Sequence, residues 1–212
     1  MKIVFVDLDG TLLNRKGSEL YFALNLIQRG MIGPKQIISY LLFFFRWLPY
    51  LGLSATKKNK AYLTGLVESH ITAMGEKFAN DHLKRYVRIN LSERIECHRQ
   101  KGHHLVLLTG SLDTIAKPLA KIFNIPEVHA TRCATRNGIF IDNPPLSHPS
   151  GNVKRHIAQL VAKNHNSMLT ECTAYADSID DLPLLFSVAE PVAVNPSTQL
   201  RHIARSKKWE IL

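Results

Sequence analysis

The stretch Ile3-Val4-Phe5-Val6 runs without a break into Asp7, and Leu8, Asp9, Gly10 and Thr11 follow. A continuous apolar run of this kind, three of its four residues β-branched, reads as a strand buried on both faces, over residues 2–7. Such strands belong to parallel sheets covered by helices on both sides, so this one segment already restricts the fold. It also places a carboxylate where the buried strand stops. In open parallel sheets the carboxyl ends of the strands gather along one edge, and ligands bind there. Asp9, two positions on in an extended segment, projects to the same side as Asp7.

Strand signals recur at 103–109, 127–132, 172–177, 191–194 and near 209–212, and helix signals at 92–101, 111–123, 151–165 and 180–186. Ser111 is the expected N-cap of its helix, and Pro118 predicts a kink or an early end. Asn137-Gly138 predicts a hairpin. The alternation of strand and helix predicts an α/β fold with a mostly parallel sheet. Residues 15–90 depart from it: four helices are predicted near 18–29, 35–48, 57–73 and 76–89, punctuated by Gly30, Gly33-Pro34, Pro49, Gly52 and Gly75. The expected organisation is a core of residues 1–14 and 91–212, with an all-helical insertion, 15–90, after the first strand.

Asp7 ends the first strand, Thr109 the second and Asp177 a later one, with Asp181 one helical turn beyond. Each acid alone reads as a cap or a turn residue. Gathered at one sheet edge, they form an oxygen-rich cluster that is costly to leave without a counter-charge. A hard divalent cation such as Mg²⁺ suits that donor set.

These residues carry a specific resemblance. DLDGT at 7–11, LVLLTG at 105–110, GNVK at 151–154 and YADSIDDLPLL at 175–185 resemble the four motifs of haloacid dehalogenase superfamily hydrolases, in the phosphoserine phosphatase-like branch, subfamily IB. The resemblance implies a Rossmann-like core with a helical cap, and hydrolysis of a phosphomonoester through an aspartyl-phosphate. It implies that Asp7 is the nucleophile and that Asp9 serves as general acid, then general base. It implies Mg²⁺ held by the carboxylates of Asp7 and Asp177 and the main-chain carbonyl of Asp9, with Asp181 on the metal's waters. Thr109, the amide of Gly110 and Lys154 would bind the phosphoryl oxygens, and Thr11 would fix the turn that Gly10 permits. Arg155 is the neighbouring alternative to Lys154.

In that branch a glutamate soon after the first motif resembles a clamp for the substrate amine. The matching position here is Lys16, with Glu19 one turn away. The resemblance therefore carries the chemistry and not the substrate, and the expected partner is a small soluble phosphorylated molecule. The alternative comes from IISYLLFFFRWLPYL at 37–51, whose residues 41–45 are apolar on every side of a helix. Such a helix is deeply buried or in lipid, and this one is too short to span a bilayer. Burial within the cap is the first expectation. The second is a surface that grips anionic lipid, aided by Lys57, Lys58 and Lys60, with a lipid phosphate of the phosphatidylglycerophosphate or lysophospholipid type as substrate.

Lys and Arg outnumber Asp and Glu by 27 to 17, which favours anionic partners. A non-catalytic anion- or membrane-binding module is the other class, and the intact acids speak against it. Nucleic acid is not expected, because no basic stripe carries interleaved aromatic residues. His103-His104, at a strand entrance, reads as surface and not as a metal pair. Cys97, Cys133 and Cys172 form no CxxC pair and read as small buried residues in a reducing compartment. No secretory signal is visible, so the expected location is cytoplasmic, with a peripheral membrane association as the alternative.

Overall fold

The computed structural model describes all 212 residues. After β1 (Ile3–Val6) the chain leaves the sheet for α1 (Ser18–Gln28), α2 (Pro34–Leu51), α3 (Ser54–Lys58), α4 (Glu68–Phe78) and α5 (Ile89–Gln100). It returns as β2 (His104–Leu112), α6 (Asp113–Ile122), β3 (Glu127–Thr131) and a short hairpin of β4 (Thr135–Arg136) and β5 (Ile139–Phe140). Then come α7 (Gly151–Asn164), β6 (Thr173–Ala176), α8 (Leu182–Leu185), β7 (Glu190–Ala193), α9 (Thr198–Ser206) and β8 (Glu210–Ile211). The main sheet has the order β3-β2-β1-β6-β7-β8, and every neighbouring pair is parallel. The order reverses between β1 and β6, so a crevice opens beyond their carboxyl ends. Asp7 and Asp177 directly follow those two strands.

The pleat sends alternate residues to opposite faces, and both are covered. Val4, Val6, Leu105 and Leu107 pack with Ile115 and Leu119 of α6, and with Phe22, Leu26 and Ile71 of the segment between β1 and β2. Ile3, Phe5, Val106 and Leu108 pack with Ala158, Val161 and Ala162 of α7 and with Leu200 of α9. This two-sided burial is why β1 reads as an unbroken apolar run.

Several local expectations do not hold. The helix expected over 57–73 breaks in the middle. Asn59 leaves the helix at φ −72° and ψ 106°, and its side chain donates to the carbonyl of Tyr40 at 2.8 Å. Gly65 then donates to Phe140, Phe140 to Leu66, and Glu68 to Gly138, so the chain beside β5 pairs with it in place of coiling. The helix expected over 76–89 ends at Phe78 and continues as wide and tight turns to Tyr86. Helix α5 starts at Ile89, three residues before Ser92. Helix α9 was not foreseen; its N-cap is Ser197.

Both internal prolines sit inside continuous helices, Pro49 in α2 and Pro118 in α6. Pro118 has no N–H for the carbonyl of Thr114, and that carbonyl faces α4 at Gly75. A Cβ on Gly75 would lie 2.3 Å from it, so the two helices approach backbone to backbone.

The apolar segment 37–51 is not buried. Phe43 is the single buried residue of α2, while Leu42, Phe45 and Tyr50 are 60%, 72% and 80% exposed. The helix packs on the turn Ala61–Leu63 and on α3, and its Trp47 indole donates to the Asp142 carbonyl at 3.3 Å. No helix of the protein is long and apolar enough to cross a membrane. Of the cysteines only Cys172 is buried; Cys97 is exposed.

Candidate active site

The turn after β1 is held from several sides. The Asp7 amide donates to the carbonyl of Tyr175 on β6 at 3.0 Å, and Leu12 donates to the Asp7 carbonyl. Arg88 donates to the carbonyls of Thr11 and Gly10 and to the Asn14 side chain. Gly10 has φ +82°, and a Cβ there would lie 2.3 Å from Asp177 Oδ2. This position needs glycine twice, for conformation and for space. Gly10→Ala is expected to cost about 1–3 kcal/mol through the collision and a further ~1 kcal/mol through the left-handed φ. Urea denaturation checks this, and an unchanged midpoint would contradict the close approach.

Asp7, Asp177 and Asp181 converge, with one oxygen from each lying within 4.8 Å of the others. All three are at least nine-tenths buried. Lys154, in the first turn of α7, reaches into the group and places Nζ 2.7 Å from Asp7 Oδ1 and 2.7 Å from Asp181 Oδ1. Lys16, on a largely exposed side chain, lies 2.5 Å from Asp177 Oδ2. Thr11 donates to Asp7 Oδ2 at 3.3 Å. Burial alone would depress the Lys154 ammonium, but Asp181 and then Asp7 hold its pKa well above the ordinary value. Burial pushes Asp181 up to about 6, against the pull of Lys154. Burial also raises Asp177, against Lys16.

Asp9 stands apart from that group. It accepts from the Ser18 amide at 2.9 Å, from the Ser18 hydroxyl at 2.9 Å and from the Ser111 hydroxyl. Burial raises its pKa, and these hydrogen bonds only partly offset the rise. Neither serine was foreseen as a site residue. Ser111 was expected to cap α6, but the N-cap position falls on Leu112. Nor does Thr109 end its strand. β2 continues to Leu112 through a bulge, with Leu108 opposite His129 and Leu112 opposite Thr131. The bulge re-aims Thr109, Gly110 and Ser111, and the Ser111 amide donates to Thr109 Oγ1 at 3.1 Å.

Lysines gather beside the acids. Lys57 pairs with Asp180 at 2.5 Å and Lys60 with Glu19 at 2.7 Å. Tyr62 donates to the other oxygen of Glu19 at 2.8 Å. His148 hydrogen-bonds Thr131 Oγ1, and a Cβ on Gly110 would lie 3.8 Å from its ring. Burial, and after it Lys60, Lys58 and Lys57, pushes its pKa down to about 4. The chain thus surrounds the strand ends with cations.

The donor set at the centre fits a hard divalent ion. Three buried carboxylates meet one buried ammonium, and every donor is oxygen. Asp7, Asp177 and Asp181 each offer one carboxylate oxygen to such an ion.

Comparison with known proteins agrees with this arrangement. The profile of the family described as haloacid dehalogenase-like hydrolase matches residues 4–185. The phosphoserine phosphatase SerB1 of Mycobacterium tuberculosis is 26% identical over 214 residues, covering 98% of this chain and 69% of that protein. A histidinol-phosphatase of Neisseria meningitidis is 26% identical over 221 residues, covering 99% and 97%. A solved protein of unknown function from Bordetella pertussis Tohama I shares the fold, with a TM-score of 0.83 at 22% identity over 100% of this chain and 97% of that one. With its motifs on the strand ends and the profile spanning most of its length, the chain belongs to the haloacid dehalogenase-like hydrolases.

Proposed function

We propose that the protein is a Mg²⁺-dependent phosphomonoester hydrolase that works through an aspartyl-phosphate on Asp7. The observation that carries this reading is the placing of Asp7 at the end of β1, between Lys154 and Thr11, with a separately held Asp9 two residues on. In the first step an Asp7 oxygen bonds to phosphorus while the bond to the leaving oxygen breaks, and Asp9 gives that oxygen its proton. In the second step water bonds to phosphorus, Asp9 takes the water's proton, and the Asp7–phosphorus bond breaks to release inorganic phosphate. Bound Mg²⁺ would supply positive charge to the phosphoryl oxygens and to Asp7. Lys154 adds a fixed positive charge on the same group, and the Gly110 amide and Thr109 hydroxyl donate to it. Ser18 and Ser111 orient the Asp9 carboxyl, and its burial favours the protonated form that the first step needs. The test is a screen of phosphomonoesters with and without Mg²⁺, read as kcat/KM; no turnover of any ester would overturn the reading.

A small soluble ester remains the first substrate class. Glu19 is an unsuitable clamp for a substrate ammonium, because Lys60 and Tyr62 already occupy its two oxygens. The SerB1 phosphatase and the histidinol-phosphatase, each 26% identical to this chain, bear the names of different substrates.

One observation favours a second reading, a lipid phosphate met at an anionic surface. Between Glu19 and Glu68 there is no acidic residue, while Arg29, Lys35, Arg46, Lys57, Lys58 and Lys60 are all cationic. Over that same stretch Leu20, Ile37, Ile38, Leu41, Leu42, Phe45 and Leu53 are each more than half exposed. A cleft of about 410 Å³ lined by Leu20, Ala23, Ile27, Ile37 and Lys60 opens beside them. On this reading, the protein sediments with vesicles containing anionic lipid, and salt weakens the binding. Leu42→Ser with Phe45→Ser should lower the vesicle-bound fraction at least tenfold without changing turnover of a soluble ester. A wild type that stays in the supernatant would remove the membrane reading and leave the phosphatase reading untouched.

A further inference from the structure

At the opposite edge of the sheet, three imidazoles meet one carboxylate. Glu127 is the first residue of β3 and His104 the first of β2, while His165 caps the C-terminus of α7. The register places Glu127 opposite Val106 and His129 opposite Leu108, so these side chains share the face that α7 covers. Glu127 Oε2 lies 2.7 Å from His104 Nε2 and 3.1 Å from His165 Nε2. Its other oxygen, Oε1, lies 2.7 Å from His129 Nε2. His104 is therefore no plain surface residue: its side chain is 18% exposed and stacks on His165 with ring centres 4.0 Å apart.

From this geometry we propose a second metal site, for a zinc-type divalent ion, formed by His104 Nε2, His165 Nε2 and Glu127, with His129 holding the carboxylate in place.

Imidazole and carboxylate together are the donors such ions take, and three protein ligands leave a fourth position for water. One atom from each of the three ligands lies within 4.8 Å of the other two. Bonds of about 2.0–2.2 Å to a tetrahedral ion place ligand atoms about 3.4 Å apart. The present contacts of 2.7 and 3.1 Å need to open by about 0.7 and 0.3 Å to reach that spacing. The chain holds 27 Lys and Arg, yet Glu127 pairs with none of them; its partners are all histidines. No protein group bonds the Nδ1 atoms of His104 and His165, so each can carry its proton there and leave Nε2 free to ligate, while His129 keeps its proton on Nε2 and donates it to Glu127 Oε1. The other histidine pair, His98 and His103, has no such carboxylate contact and sits beside Lys2 and Lys101, which repel a cation.

The bound ion would tie together β2, the edge strand β3 and the end of α7. Lys154 lies eleven residues back along that helix, about 16 Å away. The site is thus separate from the acid cluster, and its expected role is to brace the helix that carries Lys154. Ion bound to the folded state alone raises the thermal midpoint by mass action.

The experiment uses the full, untagged chain in excess Mg²⁺, titrated calorimetrically with Zn²⁺ and spectroscopically with Co²⁺. The expected result is one equivalent of Zn²⁺, a Co²⁺ spectrum of a low-coordinate nitrogen–oxygen site, and a thermal midpoint that rises with Zn²⁺. His104→Ala and His165→Ala should each weaken binding at least a hundredfold, and His129→Ala about 10–100-fold. Asp177→Asn should leave it unchanged. Glu127→Gln, nearly isosteric, gives the same reading if an alanine variant fails to fold. No uptake by the wild type, uptake that survives His104→Ala and His165→Ala, or uptake lost in Asp177→Asn would overturn the proposal.

Discussion

Asp7→Asn is expected to reduce kcat for every phosphomonoester by at least about 10⁴-fold, the scale seen when a nucleophile is removed. The amide keeps the size of the carboxylate but lacks the charge that attacks phosphorus. The fold should survive, because Lys154 keeps Asp181 as a partner at 2.7 Å. Intact-mass measurement after acid quench checks the step directly. The wild type should carry one added phosphoryl group during turnover and the variant none. Turnover by the variant at even a tenth of the wild-type rate would remove Asp7 from the role of nucleophile.

Lys154→Ala should damage the fold as well as the chemistry. The ammonium is the only buried positive charge among Asp7, Asp177 and Asp181, and it touches two of them. Its removal leaves buried carboxylates uncompensated, a situation that costs about 3–5 kcal/mol. Lys16 cannot take its place, since it sits on an exposed side chain at Asp177. Urea denaturation of the Mg²⁺-free protein measures the loss. A change under about 1 kcal/mol would show that the ion pairs do not hold the site together. Arg155→Ala next door, on an exposed position, should leave both stability and turnover unchanged.

The acids were legible because their signal is local. A strand buried on both faces writes itself as an unbroken apolar run, and the first charge after it marks the sheet edge. Asp7 and Asp177 are found by that rule, Asp181 by its place one helical turn beyond, and the structure brings the three together. Ser18 and Ser111 were not legible, because a serine has many uses and only the folded turn and the β2 bulge bring both to Asp9. The break in the helix expected over 57–73 was hidden for a similar reason. It depends on Asn59 finding the carbonyl of Tyr40 and on the chain near Leu66 finding β5, contacts that no window of local sequence contains. The exposed side of α2 misled differently: an all-apolar helix normally signals burial, and here most of that surface faces outward. Helix α9 did have a local signal, Ser197 followed by Leu200, Ile203 and Ala204 at helical spacing.

The contact of Gly75 with the Thr114 carbonyl has a mechanical consequence. Helices that touch backbone to backbone cannot slide without losing the fit, so α4 is seated firmly on α6. Helix α1 shares that seat, since Phe22 packs on Phe78 with ring centres 5.4 Å apart. Helices α2 and α3 are joined to the rest differently: Lys57 pairs with Asp180 and Arg46 with Asp142, all four side chains about half exposed, the Trp47 indole donates to the Asp142 carbonyl, and Phe43 is the one buried residue of α2. Exposed ion pairs of that kind hold with about 0–1 kcal/mol each. The helices between β1 and β2 therefore differ in how they are seated. One side meets its neighbour backbone to backbone, while the other keeps most of its apolar surface outside.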